Sequence, residues 1–120
     1  MEMLNFSDEN STYSFRTTVG RVSVSAKEIM YFSYSDRHVY LHTINGVFKT
    51  KIVRFKDLED ILKEPEFVSI HRACIVNICY IKSIGGITLI MENGEKLSIS
   101  RYKMLEMKEK IKALDIVGAY

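Results

Sequence analysis

The chain has 120 residues, 47% of them hydrophobic, with a formal net charge of +2. That length fits one domain, and that apolar share supports a packed core and excludes intrinsic disorder. No apolar run approaches the roughly 20 residues needed to cross a membrane, and the N-terminal Met1–Asp8 stretch carries acids and lacks the apolar centre of a signal peptide. A soluble, cytoplasmic protein without a membrane partner is expected.

Residues 1–12 are polar and read as a loose lead-in, with the folded domain expected over 13–120. Tyr13–Thr18 and Arg21–Ser25 read as strands around Gly20; in the second, Val22 and Val24 alternate with Ser23 and Ser25. Glu28–Tyr34 is a third strand, and Ser35-Asp36-Arg37-His38 a turn. Val39–Thr43 and Val47–Ile52 form a hairpin through Asn45-Gly46. Phe55, Leu58, Ile61 and Leu62 recur at helical spacing, predicting a short helix over Arg54–Lys63 that Pro65 ends.

Phe67–Ile70 and Cys74–Ile78 read as two apolar strands meeting at the polar corner His71-Arg72-Ala73. Tyr80–Ile84 leads to Gly85-Gly86. The segment Ile87–Met91 then turns through Asn93-Gly94 into Lys96–Ile99. Ser100 is placed to cap a last helix, with Met104, Leu105, Lys108 and Ile111 along one side. Cys74 and Cys79 match no zinc or dithiol spacing and are expected as buried, unbridged thiols. Asn77 is expected to bond a backbone turn.

Charge is segregated along the chain. From Arg16 to Lys56 there are eight Lys or Arg against two acids, whereas Asp57–Glu66 holds five acids and one lysine. A chain of small net charge can thus present a positive face to a polyanion. Three polar corners join well-packed elements and carry arginine or histidine: Ser35–His38, His71–Ala73 and Ser100–Lys103. Loops on a rigid scaffold are where binding residues concentrate. An arginine held this way can pair with guanine O6 and N7 or grip phosphate.

Enzyme chemistry has little support. No glycine loop cradles phosphate, and His38, His42 and His71 lack ligand spacing with a carboxylate or cysteine. Neither a cofactor nor a metal is expected.

His71-Arg72-Ala73-Cys74-Ile75-Val76-Asn77 resembles the H-R-S-x-L-V-N signature of LytTR DNA-binding domains. Leu97-Ser98-Ile99-Ser100-Arg101 is similar to the family's closing segment, and Ile29-Met30-Tyr31-Phe32 to its I-x-Y-I/F strand. The likeness runs from about Val22 to Ile111. Ala73 stands where the family usually has Ser, and Ser98 where it often has Pro.

The resemblance implies a mainly β fold: an elongated sandwich of small antiparallel sheets with one short internal helix and a C-terminal helix. It implies a sequence-specific double-stranded DNA-binding transcriptional regulator, with loops inserted into successive major grooves and two copies on direct-repeat sites. Arg72 and Arg101 fall on the family's base-contacting positions, and His38 or its neighbour Arg37 near the third. Lys49, Lys51, Ser100, Tyr102, Lys103 and His71 are cast as phosphate contacts, which set register without reading sequence. Two arrangements stay open: a free-standing regulator, or the output domain of a two-component response regulator with a receiver domain upstream. The reading from another class is a protein-interaction β module that uses the same corners.

Overall fold

The computed structural model describes residues 11–113. Ten strands and two α-helices follow in chain order: β1 (Thr12–Thr17), β2 (Gly20–Ser25), β3 (Ile29–Ser35), β4 (His38–Thr43), β5 (Gly46–Lys49), α1 (Lys56–Ile61), β6 (Phe67–His71), β7 (Cys74–Asn77), β8 (Ile81–Gly85), β9 (Thr88–Met91), β10 (Lys96–Ser98) and α2 (Arg101–Ala113). All strand pairings are antiparallel, in three sheets: β1-β2, β10-β9-β8, and a central five-stranded sheet ordered β5-β4-β3-β7-β6. The mainly β architecture with one short internal and one terminal helix is the expected one. Ten of the residues assigned to the lead-in lie outside the described residues, and β1 begins at Thr12.

The central sheet is apolar on both faces because its inner strands alternate two buried sets. Phe32, Val39, Leu41, Phe67 and Ile75 pack with Phe15 and Val24 of the β1-β2 hairpin and with Leu58 of α1. Tyr31, Val68, Ile70, Cys74 and Val76 point the other way, onto Ile81, Leu89 and Met91 of the three-stranded sheet and Met107 and Ile111 of α2. Ile29 and Phe32 are three apart yet share one core. The register shift between Ile29 and Tyr31 explains this: an extra residue on β3 exchanges the faces.

Several details differ from expectation, among them α1, which spans Lys56–Ile61 where the sequence predicts Arg54–Lys63. β5 ends at Lys49; Thr50 still donates its N–H to the Val39 carbonyl of β4 at 2.9 Å and also bridges Thr17 of β1. In the β4-β5 hairpin the turn residues are Ile44 and Asn45; Gly46, at φ +140°, already pairs with Thr43. On α2 the buried residues are Met107 and Ile111, with Met104 half-buried. Leu105 is 67% exposed and Lys108 is exposed. The core stripe therefore takes Met107 in place of Leu105 and Lys108. Each buried side chain contributes about 1.5–3 kcal/mol.

Cys79 corrects a further expectation. Cys74 is buried in β7, and burial pushes its thiol up to about 12, whereas Cys79 is exposed. Asn77 ends the strand by accepting the Cys79 N–H at 3.0 Å, and the 3-10 turn Ile78–Tyr80 rotates Cys79 outward. In the native protein one thiol per chain should react with a maleimide well before the other, which reacts only on unfolding, although burial and then Glu66 raise the pKa of Cys79. Peptide mapping should assign the fast one to Cys79; two slow thiols would contradict this placement.

His42 supplies a pH dependence. Its ring stacks on Tyr31 at 3.9 Å between centroids, its Nε2 lies 2.9 Å from Ser33 Oγ, and burial lowers its pKa to about 4. The unfolded chain protonates this histidine near 6.5, the folded one near 4, so the unfolded state binds more protons in between. Stability is therefore lost as pH falls from about 6.5 to 4. For a half-buried ring, discounted for solvent screening, the loss is about 1–2 kcal/mol. His42→Phe keeps an aromatic ring beside Tyr31 and should flatten the melting-temperature profile across that window. An unchanged profile would remove His42 as its cause.

Candidate nucleic-acid interface

The β6-β7 corner is fixed by its backbone. A bulge between Ser69 and His71 precedes it, and Ile70 and Cys74 flank it as buried anchors. Ser69 Oγ donates to the His71 carbonyl at 3.1 Å, and Tyr34 N–H donates to the Ala73 carbonyl at 2.9 Å. His71 Nδ1 accepts the Ala73 N–H at 3.1 Å. Burial, and then the Arg72 charge, lower the His71 pKa. With Nδ1 accepting, the neutral ring carries its proton on Nε2. His71 thus holds the corner together while keeping an uncharged N–H donor. Arg72 is exposed at the tip.

The start of α2 is stitched to the same place. Ser100 N–H donates to the Ile70 carbonyl at 2.7 Å, and Ser100 Oγ accepts the Tyr102 N–H at 3.3 Å, as a capping residue should. Arg101 is exposed, Tyr102 is 94% exposed, and Lys103 Nζ lies 3.7 Å from Glu106. A cavity of about 480 Å³ is lined by His71, Arg72, Ser100, Tyr102 and Lys103, together with Ser69 and Glu59. Two corners separated by about thirty positions in sequence thus form one concave surface.

The third corner is the β3-β4 turn. Asp36 and Arg37 both adopt left-handed backbone, at φ 49° and 64°. That pair defines a two-residue hairpin turn whose twist matches the strands but which normally takes Asn and Gly. An arginine held there costs about 1 kcal/mol in local strain, a pattern found at functional positions. His38 Nδ1 lies 2.7 Å from the Asp36 carbonyl, so Nδ1 donates and the ring is oriented. Arg37, His38, Lys49 and Lys51 line a second cavity of about 280 Å³ with Thr18 and Thr50.

Topology puts all three corners at one end of the central sheet. The β3-β4 and β7-β6 turns are neighbours there because β3 pairs with β7, and β5 runs toward that end and leaves it at Lys49. The order across the end is Lys49, His38 and Arg37, then Arg72, then Arg101. From β5 to β6 this is four strand spacings, about 19 Å, with α2 beyond. The row is wider than the roughly 12 Å of a DNA major groove.

Every residue expected to contact DNA therefore lies in one of the two clusters or, for Arg101, between lining residues of the first. Glu59, Ser69, Thr18 and Thr50 line these surfaces without any signal in sequence. The Thr17–Thr50 bridge that brings Thr18 in joins residues 33 apart, which no local pattern reveals.

Among the described residues, a mainly β domain presents a row of cations and hydrogen-bond donors from its strand turns and from the start of α2. The sequence profile of the LytTr DNA-binding domain matches residues 20–112, and the chain belongs to this family. The Sensory transduction protein LytT of Bacillus subtilis (strain 168) is 34% identical over 96 residues, covering 73% of this chain. The aligned part is 38% of that protein's length. A solved LytTr DNA-binding domain from Bacillus cereus superposes with a TM-score of 0.72 at 26% identity, covering 85% of this chain and 97% of that one. Among the described residues no helix is long and apolar enough to cross a membrane, and no group of His, Cys, Asp and Glu could hold a metal ion.

Proposed function

We propose that this domain reads duplex DNA with the end of its central sheet, as the output element of a transcriptional regulator. The supporting observation is the convergence of Arg37, Arg72 and Arg101 on one rigid edge, flanked by Lys49, Lys51 and Lys103. Arg72 and Arg101 read bases, with Arg37 or His38 at a third point. Lys49, Lys51, Ser100, Tyr102, Lys103 and the His71 Nε2–H contact phosphate. Two copies sit on direct repeats along one face of the duplex, and in a longer gene product a receiver domain would govern their occupancy. No reaction is assigned to the domain, and it acts in the cytoplasm, where the DNA is.

A polarisation titration with duplex and single-stranded oligonucleotides tests this. The logarithm of affinity should fall linearly with log salt, at a slope of roughly −0.9 per phosphate contact. Flat salt dependence, or equal affinity for single strands, would favour instead a protein-binding role for the same corners.

A further inference from the structure

Two arginines of the β1-β2 hairpin sit beside Lys51, which already borders the row just described. Arg16 of β1 is directly opposite Arg21 of β2 in the antiparallel register. On the other side of β1, Thr17 bridges Thr50, and the Lys51 N–H donates to the Arg16 carbonyl at 2.8 Å. Lys51 is therefore the neighbour of Arg16 across that bridge. The flanking Phe15, Thr17 and Thr50 are buried, whereas Arg16, Arg21 and Lys51 are exposed, so the three share the outer surface. Strand spacing puts their backbones about 5 Å apart in sequence Arg21, Arg16, Lys51.

This arrangement is unfavourable for the isolated domain. Like charges directly opposite in a sheet repel. Among the described residues the ion pairs are Arg54–Asp57 and Lys103–Glu106, which leaves these three without a carboxylate partner there. Arg21 Nη1 donates to Ser14 Oγ at 3.1 Å, a neutral partner that holds the guanidinium without cancelling its charge. Glu64 accepts the Tyr13 hydroxyl. Arg16, Arg21 and Lys51 line a cavity of about 310 Å³ together with Phe15, Ile52 and Ile61.

We infer that Arg16, Arg21 and Lys51 form a clamp for the phosphates of DNA flanking the segment read by the corners. The inference rests on the proposed DNA-binding function and extends its footprint. Continuity carries it: Lys51 and Ile52 line both this surface and the one holding Arg37, His38 and Lys49. A duplex seated on the sheet end meets the cation row next, and its backbone supplies the missing counter-charge. Such contacts act on any sequence.

The test uses Arg16→Gln and Arg21→Gln, alone and together, on a long duplex and on one trimmed to the read segment. With two contacts removed, the salt slope should fall by roughly 1.8. Affinity near 0.1 M salt should drop about eightfold for each contact, equally on specific and random long duplexes. On the trimmed duplex the variants should match the unsubstituted protein. Melting temperature should stay the same or rise, since a repulsive pair is removed. Ethylation of flanking phosphates should interfere with the unsubstituted protein and not with the double variant.

Unchanged slope and affinity on the long duplex, with the unsubstituted protein binding normally, would overturn the clamp and leave the proposed function standing. A loss confined to the specific sequence would overturn it too, by making these arginines base readers. Protection of Arg16 and Arg21 from phenylglyoxal by inorganic phosphate and not by duplex would assign the surface to a small anion. No salt-dependent duplex binding by the unsubstituted protein would remove both readings.

Discussion

Arg72→Ala should weaken binding to the specific site by about 5- to 150-fold, corresponding to about 1–3 kcal/mol, and Arg101→Ala by a similar factor. Both arginines are exposed, yet both are carried by ordered backbone. The Arg72 corner is braced by the Ser69, His71 and Tyr34 bonds, and Arg101 follows the Ser100 that ties α2 to Ile70. A guanidinium held by rigid neighbours loses little entropy on forming two parallel bonds to guanine. Affinity for random DNA should change far less, so the specific-to-random ratio is the informative readout. Thermal stability should move by no more than about 0.5 kcal/mol, as at most exposed positions. If Arg72→Ala lowered the melting temperature and left the ratio intact, Arg72 would be a structural residue. Base readout would then fall to Arg101 and the β3-β4 turn.

Asn77→Ala should do the opposite, lowering stability by about 3 kcal/mol and the melting temperature by roughly 15 °C. Asn77 is 3% exposed. Its Nδ2 donates to the Ile29 carbonyl at 2.9 Å and reaches the Ala26 carbonyl at 3.5 Å, while its Oδ1 accepts the Cys79 N–H. One side chain therefore ties the end of β7 to the entry of β3 and to the 3-10 turn before β8. Alanine removes the side-chain donor to the Ile29 carbonyl and the acceptor for the Cys79 N–H, leaves the Ala26 carbonyl only the Ile29 N–H, and opens a cavity. Because β3 and β7 also place the two neighbouring turns, chemical denaturation should reveal the loss directly, and DNA affinity should fall only as the folded fraction falls. A loss below about 1 kcal/mol would mean that water or backbone adjustment replaces these bonds.

Much of the domain was legible locally. The alternation of Val22 and Val24 with serines, the apolar pairs around His71–Ala73 and the Ser100 cap each describe a single element. A strand, a turn or a cap is decided within a few residues by side-chain period and backbone preference. The segment His71–Asn77 also carried the family likeness, since its polar corner and its buried Asn77 are adjacent in sequence. The proposal that Arg72 and Arg101 face DNA rests on that likeness together with the charge segregation.

Some of the misplaced details depend on partners distant in sequence, others on a single neighbouring side chain. Leu105 and Met107 are equally apolar, and only the direction from which β6 and the three-stranded sheet approach α2 selects Met107 for burial. Cys79 reads as one more residue of an apolar strand until the Asn77 side chain turns the chain and faces the thiol outward. Thr50 keeps its bonds to Val39 of its own hairpin and also bridges Thr17, 33 positions away. The like-charge row Arg21-Arg16-Lys51 exists only through that bridge. Local preference determined which elements form and which corners are polar. The order β5-β4-β3-β7-β6, set by burying two apolar faces of one sheet at once, decided that those corners stand in a single row.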